Sequence, residues 1–246
     1  MSLSPDQVTA VVLAGGFGTR IRHLLQDIPK PMAPVLGKPF IEWVVRYLKQ
    51  HGITRSVLST GYLAETVEKH FSTNPVAGVS VRCVPETTPL GTAGGFLNAA
   101  FLAKERTEAW LVLNGDSLAL APLEVLLASL NDPAIHGAIL GVPMNDASRY
   151  GTLVQNEFGE LAGFREKRSG AGIINAGVYL FRAALIETFS SKRPLSFETD
   201  VFPMLADRKV RLKVCVTEAS FLDIGTPESL PQAEEFVRER AGSFSD

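Results

Sequence analysis

The chain has 246 residues, 46% hydrophobic and 20% charged, with a formal net charge of −2. That is enough apolar material for the core of one large domain, and the lack of a basic excess or a block of like charges excludes a general nucleic-acid face and a charged tail. Cys83 and Cys215 form no CxxC pair and His23, His51, His70 and His136 show no zinc-type spacing, so neither a disulfide framework nor a histidine metal site is expected.

Residues 1–7 lack a basic start followed by an apolar run and read as a loose lead-in rather than a signal peptide. Val8–Ala14 is a continuous β-branched and apolar run ending in glycines, which suits a strand buried on both faces and is far too short to cross a bilayer. A soluble, cytoplasmic protein with no membrane partner is therefore expected. Phe40–His51 predicts a helix with Ile41, Val44, Val45 and Leu48 on one face and Gly52 just past its end. Arg55–Thr60 predicts a strand, Leu63–Phe71 a short helix, Val79–Val84 a strand, Ala93–Ala103 a helix and Ala109–Asn114 another buried strand. Leu123–Leu130 reads as helical and Gly137–Val142 as a strand. This alternation is the signature of stacked βαβ units and a mostly parallel sheet.

The second half is less regular. Gly151–Gln155 and Glu160–Arg165 predict a hairpin around Gly159, Gly177–Phe181 a strand followed by a helix, and Phe197–Leu205 a helix kinked at Phe202-Pro203. Val210–Val216 reads as a strand and Glu228–Arg240 as the final helix. With no repeat, low-complexity segment or linker in the sequence, the simplest organisation is one α/β domain over residues 1–246.

Three stretches carry chemistry. The first strand runs into Leu13-Ala14-Gly15-Gly16-Phe17-Gly18-Thr19-Arg20. Glycines there let successive N–H groups converge on an anion, while Thr19 adds a hydroxyl and Arg20 a fixed charge. A lone Gly-x-Gly is as well explained by a tight turn. It is not a Walker A loop, because Gly18 is followed by Thr19-Arg20, nor a dinucleotide fingerprint, because Ile21 holds the third glycine's place. Next comes Ile28-Pro29-Lys30-Pro31, whose prolines stiffen the chain and hold Lys30 extended. Further on, Asn114-Gly115-Asp116 follows a buried strand, where open α/β sheets bind ligands, and Phe221-Leu222-Asp223-Ile224-Gly225-Thr226 supplies a second aspartate. Each aspartate alone would be an ordinary turn residue.

Together, Gly-Gly-x-Gly-Thr-Arg and Pro-Lys-Pro after a first buried strand resemble the N-terminal signature of the sugar-1-phosphate nucleotidyltransferases, and the likeness runs over nearly the whole chain. The resemblance implies a single-domain Rossmann-like, glycosyltransferase-A-like three-layer sandwich with a mixed, mostly parallel central sheet. It implies a nucleotide-binding half over about residues 8–120 and a sugar-phosphate-binding half over about 121–240. Leu13, Ala14, Gly15, Gly16, Gly18 and Thr19 would wrap the triphosphate, with Arg20 and Lys30 neutralising its charge. Glu86, Pro89, Gly91 and Thr92, within Glu86–Gly95, would receive the nucleobase. Asp116 and Asp223 would bind Mg2+, a hard ion suited to carboxylates and phosphate oxygens. Asn114, Tyr150, Gly151, Glu166 and Asn175 would meet the sugar, and Lys167 the sugar phosphate.

The details Asp27–Pro34, Pro89–Gly95, Asn114–Ser117 and Arg149–Thr152 look most like the D-glycero-D-manno-heptose 1-phosphate guanylyltransferases. That likeness implies GTP and a sugar 1-phosphate as substrates, pyrophosphate and GDP-heptose as products, and a bacterial surface glycan as destination. Mannose-1-phosphate guanylyltransferases and N-acetylmuramic acid 1-phosphate uridylyltransferases are also similar. A nucleotide-binding regulatory module without catalysis stays open as a different class, and a homo-oligomer is compatible with the sequence.

Overall fold

The computed structural model describes residues 2–16, 21–25, 28–165 and 169–245. In chain order the elements are β1 (Val8–Ala14), α1 (Arg22–Leu25), β2 (Pro34–Val35), β3 (Lys38–Pro39), α2 (Phe40–Gln50), β4 (Arg55–Thr60), α3 (Ala64–Thr73), β5 (Ser80–Pro85), α4 (Thr92–Ala103) and β6 (Ala109–Asn114). There follow β7 (Ser117–Leu120), α5 (Glu124–Ser129), β8 (Gly137–Met144), β9 (Thr152–Gln155), β10 (Leu161–Arg165), β11 (Gly172–Arg182), α6 (Phe202–Asp207), β12 (Leu212–Val216), β13 (Ser220–Asp223) and α7 (Ala233–Glu239).

One sheet organises the molecule. β5, β4, β1 and β6 lie side by side and parallel. β11 pairs antiparallel to β6 and to β8, and β12 runs parallel to β8. β9 joins the start of β11 and pairs with β10. Only β11 and β10 therefore oppose the common direction of this nine-stranded sheet, which is the mixed, mostly parallel sheet expected.

The side-chain alternation of β1 and β6 defines two cores. Val8, Ala10, Val12, Leu111 and Leu113 pack with α2, α3, α5 and α7 on one face. Val11, Trp110 and Val112 pack with α4 and α6 on the other. Helices thus cover both faces, giving three layers. The second core is rich in aromatic rings: Phe181 stacks on Phe197, and Phe197 on Phe202, at 5.7 and 5.6 Å between centroids. No helix among the described residues is long and apolar enough to cross a membrane.

The departures from sequence expectation have local causes. The helix expected over 197–205 divides into a π turn at Phe197–Val201 and α6, which places Pro203 in the first turn of α6, where its missing N–H has no intrahelical partner to lose. The last helix starts only at Ala233, after a short 3-10 turn containing Pro231. β12 starts at Leu212 because Val210 still belongs to the turn that closes α6, its N–H bonding to the Leu205 carbonyl at 2.9 Å. β11 begins five residues before the expected start and bulges between Asn175 and Tyr179, with Gly177 at φ +70°. A six-residue 3-10 helix, rather than an α-helix, follows it.

Candidate active site

The C-terminal ends of β1 and β6 open into a cleft of about 420 Å³, lined by Leu13, Ala14, Gly16, Lys30, Asn114, Asp116, Arg149, Tyr150, Gly151, Asn175, Glu198 and Asp223 among others. This is where a parallel sheet leaves strand ends unpaired and ligands bind. A smaller pocket of about 200 Å³ lies beside it, lined by Gly15, Gly61, Tyr62, Glu86, Thr87, Thr88 and Pro89. Leu13, Ala14 and Gly16 face the first space and Gly15 the second, so the start of the glycine turn divides the two.

A two-stranded sheet brings the aspartates together. β13 pairs with β7 so that Asp223 lies opposite Ser117, and the Ile224 N–H donates to the Asp116 carbonyl at 3.0 Å. Lys30 opens a 3-10 turn, Lys30–Met32, instead of the extended backbone expected from its flanking prolines, because the Met32 and Ala33 N–H groups bond back to the Pro29 and Lys30 carbonyls. Its ammonium lies 2.6 Å from Asp116 Oδ2 and 3.6 Å from Asp223 Oδ1. The Gly225 N–H donates to Asp223 Oδ1 at 2.7 Å and orients that carboxylate. Arg149 Nη2 approaches the other oxygen of Asp223 at 3.9 Å and its guanidinium lies over the Tyr150 ring at 5.5 Å. The Tyr150 ring meets Phe221 edge-on at 5.3 Å. Burial raises the Tyr150 phenol above its usual range, so it stays protonated and keeps a hydrogen to donate.

Among the described residues no three His, Cys, Asp or Glu side chains cluster as a metal cage. Asp116 and Asp223 nonetheless converge on one cation, the Lys30 ammonium, and supply hard oxygen donors. Two carboxylates with substrate oxygens and waters completing the shell are a fitting set for Mg2+.

Glu86 is held tightly at the smaller pocket. The Ser59 hydroxyl donates to its Oε1 at 3.0 Å and the Leu90 N–H to its Oε2 at 3.1 Å. Gly15 and Gly95 flank the carboxylate so closely that a Cβ on either would lie 2.7 or 2.4 Å from Oε1, so a side chain at either place would push the carboxylate from this position. Pro89 lines the same pocket. Gly91 and Thr92 face elsewhere: the Ala93 and Gly94 N–H groups both donate to the Leu195 carbonyl at 3.0 Å, and Thr92 Oγ1 accepts from the Phe197 N–H at 3.1 Å. The N-terminus of α4 is thus capped within the protein.

Asn175 and Gly151 are joined by a backbone bond from the Asn175 N–H to the Gly151 carbonyl at 2.9 Å, and Asn114 packs against Gly177. Asn114, Gly151 and Asn175 all line the main cleft with Tyr150. Gly18, Thr19, Arg20, Glu166 and Lys167 lie outside the described residues. Glu198, Arg149, Gly61 and Tyr62 line the two spaces without having been singled out for a site role in the sequence. Only Arg149 had a local signal, its place beside the Tyr-Gly pair.

A family model described as nucleotidyl transferase matches residues 9–240. The chain belongs to the nucleotidyl transferase family. Within it, the chain is 36% identical to D-glycero-alpha-D-manno-heptose 1-phosphate guanylyltransferase of Campylobacter jejuni, over 89% of this chain and 95% of that protein. It is 34% identical to the mannose-1-phosphate guanylyltransferase of Mycobacterium tuberculosis, over 96% of this chain but only 64% of that protein. The crystal structure of HddC from Yersinia pseudotuberculosis complexed with GMP-PN is similar with a TM-score of 0.78 and 32% identity, over 92% of this chain and 98% of that one.

Proposed function

We propose that the chain condenses GTP with a sugar 1-phosphate, D-glycero-D-manno-heptose 1-phosphate first among them, to give a GDP-sugar and pyrophosphate. The observation that carries this reading is the convergence of Asp116 and Asp223 on Lys30 in a cleft that adjoins a second pocket bearing Glu86. A phosphate oxygen of the sugar 1-phosphate attacks the α-phosphorus of GTP. The bond from that phosphorus to its bridging oxygen breaks, and pyrophosphate leaves with the electron pair. The nucleophile is already anionic near neutral pH, so the protein needs no general base and acts by positioning and by charge.

In this reading residues 8–120 hold the nucleotide and 121–240 the sugar phosphate. Leu13–Gly16, with Gly18 and Thr19, cradle the triphosphate, while Arg20 and Lys30 balance its charge. Glu86 accepts from the N1–H and 2-amino group of guanine. Asp116 and Asp223 would hold Mg2+, which would supply positive charge to offset that of the phosphates. Lys167 orients the incoming phosphate, and Asn114, Tyr150, Gly151 and Glu166 line the sugar. The reaction belongs in the cytoplasm, where nucleoside triphosphates are abundant, and the product fits a bacterial surface glycan.

The test is pyrophosphate release with Mg2+ across GTP, UTP, CTP, ATP and dTTP against heptose, mannose, glucose and N-acetylmuramic acid 1-phosphates. The expected result is a dominant GTP–heptose combination. A dominant GTP–mannose combination keeps the reaction and replaces the sugar. Folded protein that binds a nucleotide and releases no pyrophosphate with any sugar refutes the reaction.

A further inference from the structure

A third carboxylate, Glu198, lines the main cleft with Asp116 and Asp223, and its surroundings differ from theirs. The aspartates share an ammonium group. Glu198 has no cation within ion-pair reach among the described residues and receives one hydrogen bond from a neutral donor, Asn175 Nδ2 to its Oε1 at 3.0 Å. The other hydrogen of that amide goes to the Tyr179 hydroxyl at 2.8 Å, and Asn175 Oδ1 accepts from the Gly177 N–H at 3.1 Å. Asn175 therefore has no hydrogen left for a ligand. Its amide is spent on aiming Glu198.

The mount is stiff. Glu198 sits in the π turn between Phe197, fully buried among the stacked rings, and Thr199, whose N–H donates to Ser196 Oγ. Just ahead, Leu195 is tied to the base loop: its N–H donates to the Leu90 carbonyl at 2.8 Å.

We propose that Glu198 accepts hydrogen bonds from hydroxyls of the sugar and thereby sets sugar specificity, with Asn175 positioning it; this rests on the reaction proposed above. Both substrates of that reaction are anions at their phosphates. A carboxylate facing a phosphate repels it unless a cation lies between, and Glu198 has none among the described residues. A carboxylate facing a polyol finds only donors, and a hydrogen bond to a charged acceptor is among the stronger kinds. Glu198 thus marks the uncharged end of the acceptor substrate. Because its turn is bonded to the loop that follows Glu86, the sugar hydroxyls and the base are gauged from one rigid segment.

The test uses the full chain with Glu198→Ala, Glu198→Gln and Asn175→Ala, measuring KM for each substrate, the melting temperature, and turnover of single-deoxy analogues of the preferred sugar 1-phosphate. Glu198→Ala is expected to raise the sugar KM about 10- to 100-fold, the scale of one bond to a charged group, and to leave the GTP KM and the melting temperature unchanged. Glu198→Gln, which keeps the shape and an oxygen for Asn175, should lose less. Asn175→Ala should weaken sugar binding without adding to the Glu198→Ala loss. One deoxy analogue should be disfavoured by the wild type and no longer disfavoured by Glu198→Ala. An unchanged sugar KM in folded Glu198→Ala or Glu198→Gln, or deoxy losses identical in wild type and variant, overturns the inference while the reaction stands. A wild type that makes no pyrophosphate with any sugar 1-phosphate defeats the reaction and the inference together.

Discussion

Lys30 does at short range what a bound metal ion does: it stands between two carboxylates that would otherwise repel each other, 2.6 Å from one and 3.6 Å from the other. A divalent ion held by Asp116 and Asp223, as proposed, would compete with that ammonium and would leave the lysine free for a phosphate. Lys30→Ala should lower turnover about a hundredfold, the scale of losing one preorganised charge contact, and yet tighten Mn2+ binding in the absence of nucleotide, read by titration calorimetry. Weaker Mn2+ binding would mean that the lysine organises the carboxylates instead of competing for them. The thiols invite a simpler check: burial pushes Cys83 and Cys215 up to about 11, so thiolate is scarce at neutral pH and iodoacetamide should label both far more slowly than free cysteine. Lys30, Asp116 and Asp223 were legible because each sits in a short motif with a distinctive neighbour, proline or glycine. Glu198 was not, because Ser196–Asp200 reads locally as an ordinary helical turn and only Asn175, distant in sequence, shows which way the carboxylate faces.

The strands β1, β4 and β6 match expectation residue for residue. They are largely buried on both faces. β1 and β6 show it as nearly continuous apolar runs ending at glycine or a polar residue, while β4 carries Val57 and Leu58 between buried Ser56, Ser59 and Thr60. β7 and β13, which join the two aspartates, have four residues each. Four residues are too few to show a period, and their pairing is set by distant parts of the chain. The contact between α4 and the segment before the π turn was hidden for the same reason, and Gly91 is its hinge. Gly91 has φ +76° and ψ 166°, a backbone region open essentially to glycine alone, and a Cβ there would lie 2.5 Å from the Leu195 carbonyl oxygen. Gly91→Ala should cost at least about 1–3 kcal/mol from backbone strain, seen as a lower urea midpoint at unchanged m-value, with both substrates bound more weakly because base loop and Glu198 share that segment. An alanine variant of normal stability would show that the 195–197 segment yields, and would remove the rigidity on which a common gauge depends.

The hairpin of β9 and β10 ties the second half of the chain together. β9 meets β11 on the edge opposite β8, yet the tip of the hairpin reaches β12 beyond β8. The hairpin therefore curls across the face of the sheet, burying Leu153 and Leu161 in the aromatic core and stacking Phe164 on Phe202 at 5.0 Å. Charge fastens the tip: Arg211 donates to Glu160 Oε1 at 2.7 Å, and Lys213 Nζ donates to the Phe158 carbonyl at 2.7 Å. The hydrogen bond from Arg211 holds the Glu160 carboxyl below the usual carboxylate range. The folded state thus keeps Glu160 ionised to lower pH than the unfolded chain does, so its contribution is present above the unfolded value of about 4.3 and is lost as the pH falls through the lower folded value. Glu160→Gln should then melt below the wild type at pH 7, and the gap should narrow steadily as both are acidified toward pH 3, because acid removes from the wild type the same charge that the substitution removes. A gap that stays constant across that range would mean that Glu160 holds the tip through its shape and backbone bridge to Lys213, with the ion pair to Arg211 adding nothing measurable.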